Sequence, residues 1–177
     1  MVSKYYVTIK LDVHYQRFLR HHFSCEKEVF EFPNRHKFNT MLEHFVSGIP
    51  ADYVEPELSQ ELFRIALPAF EYKNVAVYRY LSSIREGIFK QKIREYYNWV
   101  IEEHIKSLMK NTEKSEDGSV LKLNRQECTL LLIDEYNFDK DDSDSFDRLY
   151  KFITRYKKNE INRRHFHKKK KSECGMG

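Results

Sequence analysis

The sequence predicts an α+β fold: a small mixed α/β unit over residues 1–81, a helical unit over 82–158, and a flexible basic tail over 159–177. Three observations carry the prediction. Apolar residues alternate with period two in several stretches before residue 82, interleaved with short stretches at helical spacing. From Ser82 onward the period becomes 3.6 and is sustained. Gly and Pro number only five and four, where average usage gives about twelve and about nine, so most of the chain belongs in regular elements.

The elements follow in order. Tyr5, Val7, Ile9, Leu11 and Val13 alternate with polar neighbours, which predicts a half-buried strand from Lys4 to Val13. Tyr15, Phe18, Leu19 and Phe23 predict a short helix over His14–Phe23. Val29, Phe30 and Phe32 predict a strand over Glu28–Phe32 that stops at Pro33. Phe38, Met41, Leu42, Phe45 and Val46 share one face of a helix over Lys37–Val46, closed by Ser47-Gly48 and Pro50. Residues 51–61 are acidic and loop-like. Leu62–Phe70 and Asn74–Leu81 are rich in strand formers, and Pro68 makes the first an edge or interrupted strand. The expected order is therefore β-α-β-α-β-β.

Ile84, Ile88, Phe89, Ile93, Tyr96, Tyr97, Val100, Ile101, Ile105, Leu108 and Met109 form the core stripe of a helix over 82–110, single or broken near Asn98. Asn111–Ser119 reads as a solvated linker. Asn124 caps a helix over Arg125–Tyr136, which is apolar nearly all round and is expected to be buried. Asn137–Asp142 is a turn. A last helix from Ser143 to Lys158 turns Phe146, Leu149, Tyr150, Ile153 and Tyr156 inward and Arg148, Lys151, Arg155 and Lys158 outward.

Several classes are excluded. No run of eighteen apolar residues suits a membrane span, and residues 1–10 lack the apolar stretch of a signal peptide, so a soluble, cytoplasmic chain without membrane association is expected. Cys25, Cys128 and Cys174 are far apart and form no CxxC pair, which indicates neither a disulfide framework nor a zinc finger. Nucleophile-elbow, phosphate-loop, dinucleotide-binding and zinc-protease motifs are all missing from the sequence. No catalytic residue, cofactor or metal is therefore expected.

Charge is the informative feature. The formal net charge is +4, but residues 148–171 hold eleven Lys or Arg and one acid, a net of +10. Residues 1–147 carry a net of −5. A dense phosphate lattice rewards clustered cations through counterion release. The candidate nucleic-acid-binding residues are thus Arg148, Lys151, Arg155, Lys157, Lys158, Arg163, Arg164, Lys168, Lys169, Lys170 and Lys171. DNA is preferred over RNA as the partner. A protein partner is expected through residues 1–81, and the sequence does not define an oligomeric state. The competing reading of the basic segment is a solubilising chain end.

Two helices joined by a short turn, the second basic on its outer face, resemble a helix-turn-helix. Asp139, Asp141, Asp142, Asp144 and Asp147 crowd the start of the second helix, where a recognition helix normally meets bases. Helix-dipole complementarity accounts for acids at that end and cations at the other. Backbone contact through the C-terminal half and the tail is therefore the better expectation. The same aspartates fail as a calcium loop counted from Asp139, with Asp144 at the glycine position and Tyr150 at the closing glutamate. His21, His22 and Cys25, and His165 and His167, lack the spacing of structural zinc ligands. Tyr5, Tyr6, Tyr78 and Tyr80 on strands can stack bases, although core packing is the more frequent use of such residues.

Lys4-Tyr-Tyr-Val-Thr-Ile-Lys-Leu, Phe30-Glu-Phe-Pro33, Ile65-Ala-Leu-Pro68-Ala-Phe70 and Tyr78-Arg-Tyr-Leu-Ser82 resemble small, largely uncharacterised proteins of Mu-like transposable phages and mobile elements of Bacteroides-type bacteria. The resemblance spans roughly the first 100 residues and continues loosely at Ile153-Thr-Arg-Tyr-Lys-Lys. It implies a setting in mobile-element DNA transactions or their regulation, and no family catalytic residue to carry over. The expectation is a non-enzymatic nucleic-acid-binding accessory or regulatory protein. The alternative is a protein-binding adaptor or inhibitor.

Overall fold

Asp12 shows how side chains set the limits of the elements. Its carboxylate accepts a hydrogen bond from the His14 amide, capping a helix that starts at Val13 and ending the strand expected to run that far. The computed structural model describes residues 5–56, 59–111, 124–136, 138 and 145–159. The element order is β1 (Tyr6–Lys10), α1 (Val13–His22), α2 (Lys37–Phe45), β2 (Ser47–Gly48), β3 (Leu62–Ala66), β4 (Tyr78–Tyr80), α3 (Ser83–Asn111), α4 (Arg125–Glu135) and α5 (145–159). The fold is α+β, with two antiparallel two-stranded sheets among the described residues.

β1 pairs with β3 so that Val7 faces Ile65 and Ile9 faces Phe63, and all four side chains are buried. Period-two alternation leaves Tyr6 and Thr8 on the opposite face. β3 stops at Ala66 because Pro68 has no amide to continue the ladder, and the Leu67 amide makes the last bond, to the Tyr5 carbonyl. The strand expected over Glu28–Phe32 shrinks to one parallel bridge, Phe30 to Ile65. The Arg20 guanidinium takes the Lys27 and Glu28 carbonyls, which are then lost to a ladder. β4 begins only at Tyr78, since Asn74 organises a turn: its side chain accepts from the Ala76 amide and its carbonyl from those of Val77 and Tyr78. Ser47-Gly48, expected only to close α2, instead forms β2 and pairs with β4.

The chain divides into two compact units, Met1–Asn98 and Trp99–Gly177. The division falls inside α3, whereas the expected boundary, 81/82, lies at that helix's start. α3 is continuous through Asn98. In the first unit Phe89 packs against Phe38 (5.5 Å) and Phe32 (6.4 Å), and Tyr97 sits edge-on to Phe18 (4.9 Å) and hydrogen-bonds the buried His14 (2.9 Å). Ile84 and Ile88 leave the expected core stripe and are 76% and 46% exposed. At 100° per residue Ile84 lies about 140° around the helix from Phe89, too far to share its buried line.

In the second unit His104 on α3 lies 3.2 Å from the Tyr136 hydroxyl. α4 starts in a complete capping box between Asn124 and Glu127. The expectation that α4 is buried all round is corrected: Cys128, Thr129, Leu132 and Ile133 are buried, whereas Leu130 and Leu131 are exposed. Among the described residues no helix is long and apolar enough to cross a membrane.

Candidate nucleic-acid interface

α5 is held by one face. Ser145, Leu149 and Ile153 are buried at helical spacing, and Phe146 stacks on Tyr150 one turn away, 5.9 Å between ring centres. Tyr150, expected inward, is exposed at the edge of that face. Arg148, Lys151, Arg155 and Lys158 are all exposed. Their spacings of three and four residues confine them to an arc of about 80°, away from Leu149 and Ile153. The rise from 148 to 158 is about 15 Å at 1.5 Å per residue.

Two details modify this face. The Lys151 ammonium lies 3.3 Å from the Asp147 carboxylate, both side chains about two-thirds exposed at 67% and 63%. A pair that exposed is worth little, so Lys151 can exchange it for a phosphate at small cost. Lys157 is half-buried and stands off the stripe. Burial pushes the Cys128 thiol on α4 above its usual pKa, and the charge of Lys157 acts against that push. Arg163, Arg164, Lys168, Lys169, Lys170 and Lys171, with His165, His167 and Cys174, lie outside the described residues.

Both helices of the expected helix-turn-helix are present. The connection between them lies outside the described residues except for Phe138, which is buried against Tyr136, 5.9 Å between ring centres. Asp139, Asp141, Asp142 and Asp144 fall in that undescribed stretch.

The first unit holds an open cavity of about 240 Å³ lined by Tyr6, Thr8, Ile49, Tyr53, Glu55 and Arg79. Of the aromatics noted in the sequence, Tyr6 lines it and Tyr80 braces Tyr53 edge-on at 5.2 Å. Glu55, Tyr53 and Arg79 carried no sequence signal, because they come from a loop and a three-residue strand with no spacing pattern. Among the described residues no group of three or more His, Cys, Asp or Glu side chains converges to hold a metal ion. No protein family, curated protein or solved structure matches the chain.

Proposed function

We propose that this chain is a non-enzymatic nucleic-acid-binding accessory or regulatory protein, of the mobile-element setting its N-terminal resemblance implies. It engages backbone phosphates through α5 and the basic segment that follows. The observation that supports this reading is the exposed stripe of Arg148, Lys151, Arg155 and Lys158. It runs in sequence into a further six Lys or Arg, from Arg163 to Lys171. Such contacts position a protein on the duplex without reading bases, so binding is strong at low salt and weakly sequence-specific. DNA is the preferred partner. The test is a gel-shift titration of the full chain against a mixed-sequence duplex and its RNA counterpart, each at two salt concentrations.

The second reading is a protein-binding adaptor whose basic segment only solubilises it. Exposed apolar side chains of the first unit favour it, Val54 and Tyr72 at 83% and 82% and Ile84 on α3. The absorbance ratio of the purified protein at 260 and 280 nm separates the two. Co-purifying nucleic acid that high salt removes supports the first reading.

A further inference from the structure

We propose that the cavity on the outer face of β1 is a binding site for a single guanine base, stacked on Tyr53, with Glu55 accepting from its N1–H and N2–H and Arg79 donating to its O6. The site does not depend on the basic helix.

The floor comes from strand alternation. With Val7 and Ile9 in the core, Tyr6 and Thr8 must stand on the other face of β1. The neighbouring strand β4 supplies Arg79. Its placement is unusual: Ser47 pairs with Tyr80 and Gly48 with Tyr78, so the register skips Arg79. A bulge of this kind leaves the extra residue out of the ladder and re-aims its side chain. The Arg79 side chain is exposed and, among the described residues, makes no hydrogen bond or ion pair. Arg64, by contrast, is used already, 2.9 Å from Glu28 and over the Tyr6 ring at 4.9 Å.

Glu55 is oriented by the Tyr6 hydroxyl, which donates to one carboxylate oxygen at 2.9 Å. The other oxygen and the remaining lone pairs of the first stay open to donors. Tyr53, braced by Tyr80, offers a half-exposed ring, and Ile49 adds apolar surface. The cavity thus presents an aromatic wall, one acceptor pair and one donor fork.

That set fits guanine better than the other bases. Guanine carries two adjacent donors, N1–H and N2–H, which match both oxygens of a carboxylate, beside the O6 acceptor that suits a guanidinium. Cytosine offers the carboxylate one donor group. Adenine places the N1 acceptor beside its amino group, and uracil flanks its single N–H with carbonyls, so each turns a lone pair toward Glu55. The 240 Å³ volume lies below the roughly 300–1,000 Å³ of pockets for drug-sized ligands, which suits one base. The base can come from a free nucleotide or from a single strand, where bases are splayed onto aromatic side chains.

The test is calorimetric titration of the full chain with guanosine, adenosine and cytidine. Carrying no phosphate, these nucleosides are blind to the basic stripe, so failure here is separate from failure of phosphate binding. Guanosine is expected to bind about 10-fold or more tighter than the others, and Glu55→Gln or Arg79→Ala to weaken it on the order of 10- to 100-fold. Both residues are exposed, and unchanged far-UV circular dichroism checks the fold. A second arm compares guanosine monophosphate, an all-thymidine oligomer and the same oligomer with one central guanosine, at high salt. Preference for the guanosine-containing oligomer, lost in both variants, identifies a single strand as the source. Tight monophosphate binding without that preference identifies a free nucleotide. Either result supports the site. No guanosine binding, equal affinity for the three nucleosides, or guanosine binding unchanged in both variants overturns it.

Discussion

Replacing Arg148, Lys151 and Arg155 together by Ala removes three of the four cations exposed on α5. The 15 Å rise of this stretch spans about four phosphates of one strand at 3.4 Å each, so each cation can neutralise one phosphate. The slope of log K against log salt for duplex DNA is about −0.9 per phosphate neutralised. The triple variant should therefore lose about 2.7 from the wild-type slope. Between 50 and 200 mM salt its affinity should fall about 40-fold less than that of the wild type. The three side chains are exposed on the polar side of α5, and Ala is the best helix former, so the fold should persist. Fluorescence anisotropy with a labelled mixed-sequence duplex, read at four salt concentrations, measures both slopes. Identical slopes would refute the assignment of phosphates to this face and move it to the basic segment beyond residue 159.

Other consequences concern the scaffold. His36 caps α2 through Nδ1, which accepts from the Phe38 amide at 3.3 Å and can do so only when unprotonated. Burial, with Lys37 and His22 nearby, holds the His36 pKa below 6.5, and burial with His21 does the same at His22. The unfolded chain thus binds more protons, so this stability is complete above pH 6.5 and is lost as pH falls through the lowered folded values. Urea midpoints should drop between about pH 7.5 and pH 5, and less so in His36→Asn, which caps without titrating; equal drops in both proteins contradict this. Phe89 is fully buried against Phe38 and Phe32, so Phe89→Ala should cost about 3–5 kcal/mol by urea unfolding. Asn124→Ala removes the bond from the Glu127 amide to the Asn124 side chain, leaving the backbone half of the α4 capping box, and should cost about 1 kcal/mol, measured the same way.

Helices were the most legible part of the sequence, because their limits are local. Asn124 with Glu127 marked the start of α4, and apolar periodicity marked α2 and α3 within a residue or two. Strand limits were less legible. Whether Glu28–Phe32 pairs fully depends on Arg20, a side chain on another element, claiming its carbonyls. β2 is two residues long, too short to show any alternation. A helical stripe also fails as a guide near a helix start, where Ile84 has the right residue type at the wrong angle. The basic stripe of α5 was readable because charge and spacing both lie in one segment. The cavity was not, since it joins β1, the 49–55 loop and a bulge at Arg79.

The central claim is that the C-terminal cations hold a phosphate backbone. The most direct measurement is the salt dependence of wild-type affinity for a mixed-sequence DNA duplex. Four phosphates on α5 alone require a log–log slope of about −3.6, and each further cation engaged beyond residue 159 steepens it by about 0.9. A slope near zero, or no binding at low salt, contradicts the claim.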